Sequence, residues 1–206
     1  MFSLIIYMYN NHAMNVLKIK HREFEIVEII KDDVFKCEYK NKLYFVKKYD
    51  LENSHSRNRF YNVTSISHSS VCQPKLKFVD KKTGYVVKEF IDGVTMTDYI
   101  LDHDFDENIY KQIYLNSYMA RVVGINLDWS LDSWLIADSK LYYVGDYCEK
   151  YQREKDFTKT SMSLWFFTKD LANYYEKNGI LFDKSRIKED FVVNKEMVLM
   201  TCKYYQ

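Results

Sequence analysis

Three β-rich runs packed into twenty-five residues constrain this chain more than anything else in it. Residues 24–30 (Phe-Glu-Ile-Val-Glu-Ile-Ile), 34–39 (Val-Phe-Lys-Cys-Glu-Tyr) and 43–48 (Leu-Tyr-Phe-Val-Lys-Lys) are separated only by Lys31-Asp32-Asp33 and Lys40-Asn41-Lys42. Parallel neighbours need a crossover of a dozen residues or more, so connections this short require an antiparallel meander. The alternation in 34–39 predicts a sheet with one buried face. Residues 75–80 and 85–91, joined by Lys-Lys-Thr-Gly, predict a further hairpin, and the polar stretch around 57–66 between the two sets of strands is compatible with a helix.

The second half changes period. Ile109, Ile113, Asn116, Ala120 and Val123 fall at helical spacing, predicting a helix over 107–123 that Gly124 stops. Thr95 or Thr97 is placed to cap a shorter helix beginning near Asp98. Leu164, Phe167, Leu171 and Tyr174 predict another helix, ended by Asn178-Gly179. A last helix is expected from near Ser185 through 192–199, although residues 191–193 read equally well as strand. The expected fold class is therefore α+β: an N-terminal antiparallel sheet followed by a mainly helical part, with a cleft between them. The expected organisation is an extension over 1–15, a small β-rich lobe over 16–92 and a helical lobe over 93–206.

Composition narrows the class. At 206 residues there is enough chain to bury a core. Nineteen Tyr, five Gly and one Pro argue against disorder and long linkers. A formal net charge of +1 gives no electrostatic reason to expect nucleic-acid binding. Cys37, Cys72, Cys148 and Cys202 are scattered, without a CxxC or a histidine at ligand spacing, which predicts reduced thiols in a cytoplasmic protein. The apolar opening over 1–9 is too short to span a bilayer and lacks the flanks of a signal peptide. A start at Met14 gives a cleaner domain edge than Met1, and a surface-lying anchor is the other reading of that opening. The five histidines lie apart from one another, and none pairs with a Ser or Cys as in a nucleophilic triad. Arg57 and Arg59 read by default as a charged helix face exposed to water, contact with a phosphorylated partner being the other reading.

Chemistry concentrates around two aspartates. Asp128 precedes a short hydrophobic strand, the turn Ala137-Asp138-Ser139-Lys140 reverses the chain, and a second strand leads to Asp146. An Asp after a strand is most often a turn former. Two of them flanking one hairpin bring a pair of carboxylates together.

With Lys47 after Tyr44-Phe45-Val46, the strand Val87-Lys88-Glu89-Phe90-Ile91-Asp92-Gly93, the triplet Asn126-Leu127-Asp128 and Val144-Gly145-Asp146-Tyr147 in this order, the chain resembles the protein-kinase-like superfamily. It is most similar to compact, divergent members, the RIO-type, lipopolysaccharide-core and aminoglycoside kinases, over roughly residues 24–150. The resemblance implies a bilobal fold that binds ATP and Mg2+ and transfers a phosphoryl group to a hydroxyl of a small molecule, a sugar- or lipid-linked substrate or a protein. It implies Lys47 on the nucleotide phosphates, with Lys48 as the alternate depending on strand parity. It further implies backbone contacts near Glu89 and Ile91 to a base edge, Asp128 as the catalytic residue, and Asp146 with Ser133 as metal ligands.

Four departures from the family pattern support a second reading, a catalytically degenerate pseudokinase that works by binding a nucleotide or partner. The turn 30–34 has no glycine, and two carboxylates stand where phosphates are expected. Asn62 takes the place of the helical Glu that pairs with the lysine, Asn126 that of the catalytic-loop His, and Ser133 that of a metal-binding Asn, for which Asp132 is a neighbouring substitute. Trp129, Trp134, Trp165, Phe166 and Phe167 are candidates for an interaction surface, with core packing as the bland alternative for Trp134 and Trp165.

Overall fold

The computed structural model describes residues 16–188, 199–201, 203 and 204. The choice between Met1 and Met14, and most of the expected last helix, fall outside them. The chain divides into two compact units. Among the described residues, one comprises 16–51 together with Leu76–Phe90, and the other comprises Glu52–Lys75 and those from Ile91 on. Residues 52–75 thus belong to the second unit, although in sequence they interrupt the first.

The first unit is a six-stranded antiparallel sheet, one strand more than the sequence suggests. Its strands are β1 (Val16–Ile19), β2 (Arg22–Lys31), β3 (Val34–Tyr39), β4 (Lys42–Lys48), β5 (Leu76–Asp80) and β6 (Tyr85–Glu89), in the order β1-β2-β3-β4-β6-β5. Lys40 and Asn41 both adopt positive φ, 52° and 57°, so β3 and β4 are joined by the two-residue turn whose twist matches the strands. Asn tolerates that region; Lys40 accepts it because Tyr39 pairs directly with Lys42. Gly84 closes the β5–β6 turn at φ 79°, and a Cβ there would sit 2.3 Å from the Tyr49 carbonyl oxygen.

One face of this sheet carries the core: Phe24, Cys37, Val46 and Val87 are buried with Ile19, and Tyr44 and Phe78 pack against them. The alternation places Val46 inward and Lys47 on the opposite face, beside its directly paired neighbours Val34 and Val86. Lys48 returns to the Val46 side, where its ammonium lies over the Tyr85 ring at 5.8 Å.

The second unit begins with α1 (Ser54–Ser67). Asn53 caps it by accepting from the amides of His55 and Ser56 at 3.0 and 3.1 Å, and Phe60, Val63 and Ile66 are buried one helical turn apart. A two-residue strand, β7 (Val94–Thr95), leads into α2 (Met96–Asp102), where Thr95 is the cap of the two candidates. Asp106 caps α3 (Glu107–Val122), and Gly124 at φ 76° ends it, as expected. Next come β8 (Ile125–Leu127), a 3-10 turn over Leu131–Ser133, and the hairpin β9 (Trp134–Ala137) and β10 (Lys140–Tyr143). The hairpin turns on Asp138 and Ser139, both at positive φ. β11 (Cys148–Lys150) pairs with β8, and the short α4 (Phe157–Thr160) and α5 (Lys169–Lys177) follow. No helix of the described residues is long and apolar enough to cross a membrane.

Two expected helices in this unit are corrected. The helix drawn through Leu164, Phe167 and Tyr174 is broken: Met162–Trp165 is a 3-10 turn, Phe167 has φ 54°, and α5 starts afresh behind a Thr168 cap. Trp165, Phe166 and Phe167 are all fully or almost fully buried. At about 100° per residue a continuous helix would spread three consecutive side chains over about 200°, more than half of its circumference. The break lets all three enter one core. Likewise Ser185 lies in a 3-10 turn (Lys184–Arg186), after which Ile187 is extended, so no helix starts there.

The aromatic cluster is core, not surface. Trp129 stacks on Trp134 with centroids 4.5 Å apart, Trp165 meets Trp134 edge-on, and Phe157 covers Trp129. The Trp165 indole N–H donates to the Trp129 carbonyl at 3.0 Å, so the polar atom buried with this bulk is satisfied. The five aromatics proposed as an interaction surface are each at most 4% exposed.

Candidate functional site

The two acidic positions are brought to one end of a two-stranded ribbon. Leu127 pairs with Cys148, so the residues just beyond, Asp128 leaving β8 and Tyr147 entering β11, stand beside each other. Tyr143 locks them. Its hydroxyl donates to the Tyr147 carbonyl at 2.6 Å and receives the Asp128 amide at 3.4 Å. Burial pushes the Tyr143 phenol well above its ordinary range, and the nearby carboxylates of Asp128 and Asp146 add to that, so it stays a donor. The carbonyl of Ser133 accepts the amides of Val144 and Gly145, tying the start of the hairpin to the residues just before Asp146. Asp128, Ser133 and Asp146 are thus positioned by one small hydrogen-bonded frame.

Within that frame the Asp128 carboxylate is heavily used. One oxygen accepts the Ser130 amide at 2.9 Å, and the other accepts the hydroxyls of Ser130 and Ser133 at 2.9 and 2.8 Å. Its carbonyl accepts the Trp134 indole N–H. This is the turn-forming use of an Asp, and the residue as a whole stays partly exposed. Asn126, where the family has a histidine, is buried and structural. Its amide oxygen accepts the Gln152 amide at 2.6 Å and its NH2 donates to the Lys155 carbonyl at 3.1 Å. Asp132, the neighbouring candidate ligand, is committed elsewhere, accepting from the hydroxyls of Thr97 and Tyr174.

Asp146 is buried, and the Arg59 guanidinium lies 3.4 Å from its Oδ1. Arg59 is carried by α1, one turn before Asn62; its side chain stays partly exposed while also meeting Asp146. Its Nε is buried and, among the described residues, has no hydrogen-bond partner. A recess of about 280 Å³ opens there, lined by His55, Asn58, Arg59 and Asn62 of α1 and by Tyr147 and Cys148. Burial raises the Cys148 thiol to about 11. The signal available in the sequence was the i, i+3 spacing of Arg59 and Asn62, which puts both on one helix face.

These donors do not suit a bound Mg2+ as they stand. Magnesium takes six hard oxygens in near-octahedral array, usually including one or two carboxylates. Here the Asp146 carboxylate faces a guanidinium, and Ser133, which donates a hydrogen bond to Asp128, offers only one neutral hydroxyl oxygen. No cluster of three or more His, Cys, Asp or Glu able to hold a metal occurs among the described residues.

The remaining expected residues lie as follows. Lys47 is half-buried in the first unit, with its ammonium 5.0 Å from the Tyr49 ring. Glu89 ends β6, its carboxylate 3.1 Å from Lys77, while Ile91 opens the second unit. Gly93 is required by close packing on β9: a Cβ would stand 2.7 Å from both the Ile136 oxygen and Leu135 Cδ1.

No protein-family model matches this chain, and neither does any curated protein sequence.

Proposed function

We propose that this chain is a nucleotide-binding protein of the bilobal protein-kinase-like kind, taking ATP and acting through binding rather than turnover. The observation that carries the reading is the Tyr143-braced frame, in which Asp128 and Asp146 flank a β-hairpin and stand at one end of the β8–β11 ribbon. That is the arrangement the sequence resemblance leads one to expect, and the antiparallel sheet with α1 between β4 and β5 agrees with it. Lys47 is the phosphate-contacting lysine in this reading, because it shares its sheet face with Val34 and Val86 while Lys48 points to the other side. Backbone groups near Glu89 and Ile91 take the base edge.

The weight falls on binding because both carboxylates are engaged: Asp128 by Ser130 and Ser133, Asp146 by Arg59. Phosphoryl transfer depends almost wholly on positioning and charge neutralisation, so the loss of a well-formed metal site is felt in the rate first.

A phosphotransferase acting with Mg2+ on a hydroxyl of a small molecule, a sugar- or lipid-linked substrate or a protein is the second reading. The partial exposure of Asp128 favours it, since a carboxylate in reach of solvent can take a hydroxyl proton. A cytoplasmic setting goes with either reading, Cys37, Cys72 and Cys148 being in no disulfide.

Calorimetric titration of the full chain with ATP tests both, followed by an assay for ADP release. Saturable binding with no release is the expected result. Absence of any heat at millimolar ATP overturns the proposal, and steady release that Asp128→Asn abolishes moves it to the second reading.

A further inference from the structure

We infer that Arg59 takes the place of a metal ion in this protein, making the recess beside Asp146 a metal-independent site for phosphate groups. The inference deepens the nucleotide reading above and rests on it for the identity of the natural ligand.

The donor set supplies the first reason. A buried carboxylate needs a countercharge. For Asp146 the guanidinium 3.4 Å away on α1 supplies one from within the protein. A magnesium ion arriving at Asp146 would have to displace Arg59 or sit against it, and two cations at such a distance repel.

The second reason is what Arg59 has left over. A guanidinium presents five N–H donors in a planar fork and binds phosphate through two of them at once. One terminal nitrogen is turned to Asp146, whereas the buried Nε has no partner among the described residues. An unsatisfied buried N–H is costly, so Arg59 gains from any small rearrangement that brings an acceptor oxygen to it. The side chain remains partly open to the recess, with 41% of its surface accessible.

The third reason is the lining. Asn58 and Asn62 project from the same helix as Arg59, each with an NH2 to offer, and His55 stands one turn earlier. About 280 Å³ accommodates a phosphate or diphosphate group. Asn62 thereby acquires a meaning. A glutamate at this point of α1 would add a second carboxylate to the recess and repel the anion, whereas the amide does not.

The test is calorimetry on the full chain with two probes, ATP and inorganic tripolyphosphate, each in excess EDTA and again with Mg2+. The expected result is that both bind in EDTA, with affinities changed less than threefold by Mg2+. Arg59→Gln should weaken both at least tenfold in EDTA, without rescue by Mg2+. Arg59→Lys, which keeps the charge but loses the fork, should fall between. Melting curves identify a variant that fails to fold, and the lysine variant then carries the comparison. Binding in wild type that requires Mg2+, or binding in EDTA that Arg59→Gln and Arg59→Lys leave unchanged, overturns the inference. Arg59-dependent tripolyphosphate binding without ATP binding would refute the nucleotide reading while sustaining the phosphate site. ATP binding that ignores Arg59 would do the reverse.

Discussion

Tyr143 reaches over Gly145 to place its hydroxyl 2.6 Å from the carbonyl of Tyr147, four residues on. The ring passes so close that a Cβ on Gly145 would stand 2.6 Å from Tyr143 Cζ. One phenol therefore shapes the whole loop that presents Asp146. Tyr143→Phe removes the donor and leaves the Tyr147 carbonyl without it, at a cost of about 2 kcal/mol. For a chain of this length the expected fall in Tm is about 4–8 °C, read by thermal denaturation. An unchanged Tm would mean that the loop holds its shape without the hydroxyl.

Asn126 is structural although the family resemblance points to a catalytic position. Its amide oxygen and NH2 bind the backbone of Gln152 and Lys155, respectively. Replacing it by the histidine that the resemblance leads one to expect, Asn126→His, should destabilise the protein by about 1–3 kcal/mol, because the buried amide's two hydrogen bonds to the backbone are lost. It should not raise any phosphotransfer rate. Chemical denaturation and an ADP-release assay on the same variant check both halves.

Arg186 holds the end of α2. Its guanidinium donates to the carbonyls of Ile100, Leu101 and His103 and to Asp104, and it lies 5.0 Å from the Phe167 ring. A single ammonium cannot serve this fork of acceptors. Arg186→Lys should cost about 2–3 kcal/mol despite the retained charge, since charge-assisted hydrogen bonds are lost at carbonyls the helix itself leaves open. Chemical denaturation against wild type is the measurement, and a loss below 0.5 kcal/mol would count against this role.

Two thiols predict a pH dependence. Burial raises both Cys37 and Cys148 from 9.0 to about 11. The folded state therefore keeps protons that the unfolded state gives up once the pH passes about 9. Their contribution to stability is fully present below that point and is lost as the pH rises through 11. The desolvated phenols of Tyr143 and Tyr175, also raised, act in the same direction at higher pH. Tm measured in steps from pH 7 to 10.5 should be level at first and then decline above about 9. Over the same scan at pH 8, both thiols should resist iodoacetamide in the native protein and react once it is unfolded.

Lys47 and Lys48 are neighbours in sequence but point to opposite faces of β4. If the nucleotide reading holds, Lys47→Ala weakens ATP binding at least tenfold while Lys48→Ala changes it less than twofold. Calorimetry distinguishes them, and equal effects would remove strand parity from the argument.

Much of the architecture is local and so was readable from residue order. The meander over 34–48 follows from alternation and two-residue turns, the end of α3 from Gly124, and the approach of Asp128 to Asp146 from the length of the hairpin between them. Such features depend on neighbours a few positions away, whose geometry the backbone dictates. The same local rules missed β1, which is defined by its pairing with β2, and they joined Leu164 to Tyr174 in a helix that three consecutive buried aromatics break.

Tertiary structure decided the chemistry of the site. Arg59 and Asp146 are eighty-seven positions apart, Asp132 reaches Thr97 and Tyr174, and Trp129 and Phe166 are core rather than surface. Periodicity reports which side of an element is apolar, but not which other element it will meet. A charged group's role is set by that meeting, because its partner and its exposure to water together determine whether it neutralises, positions or binds.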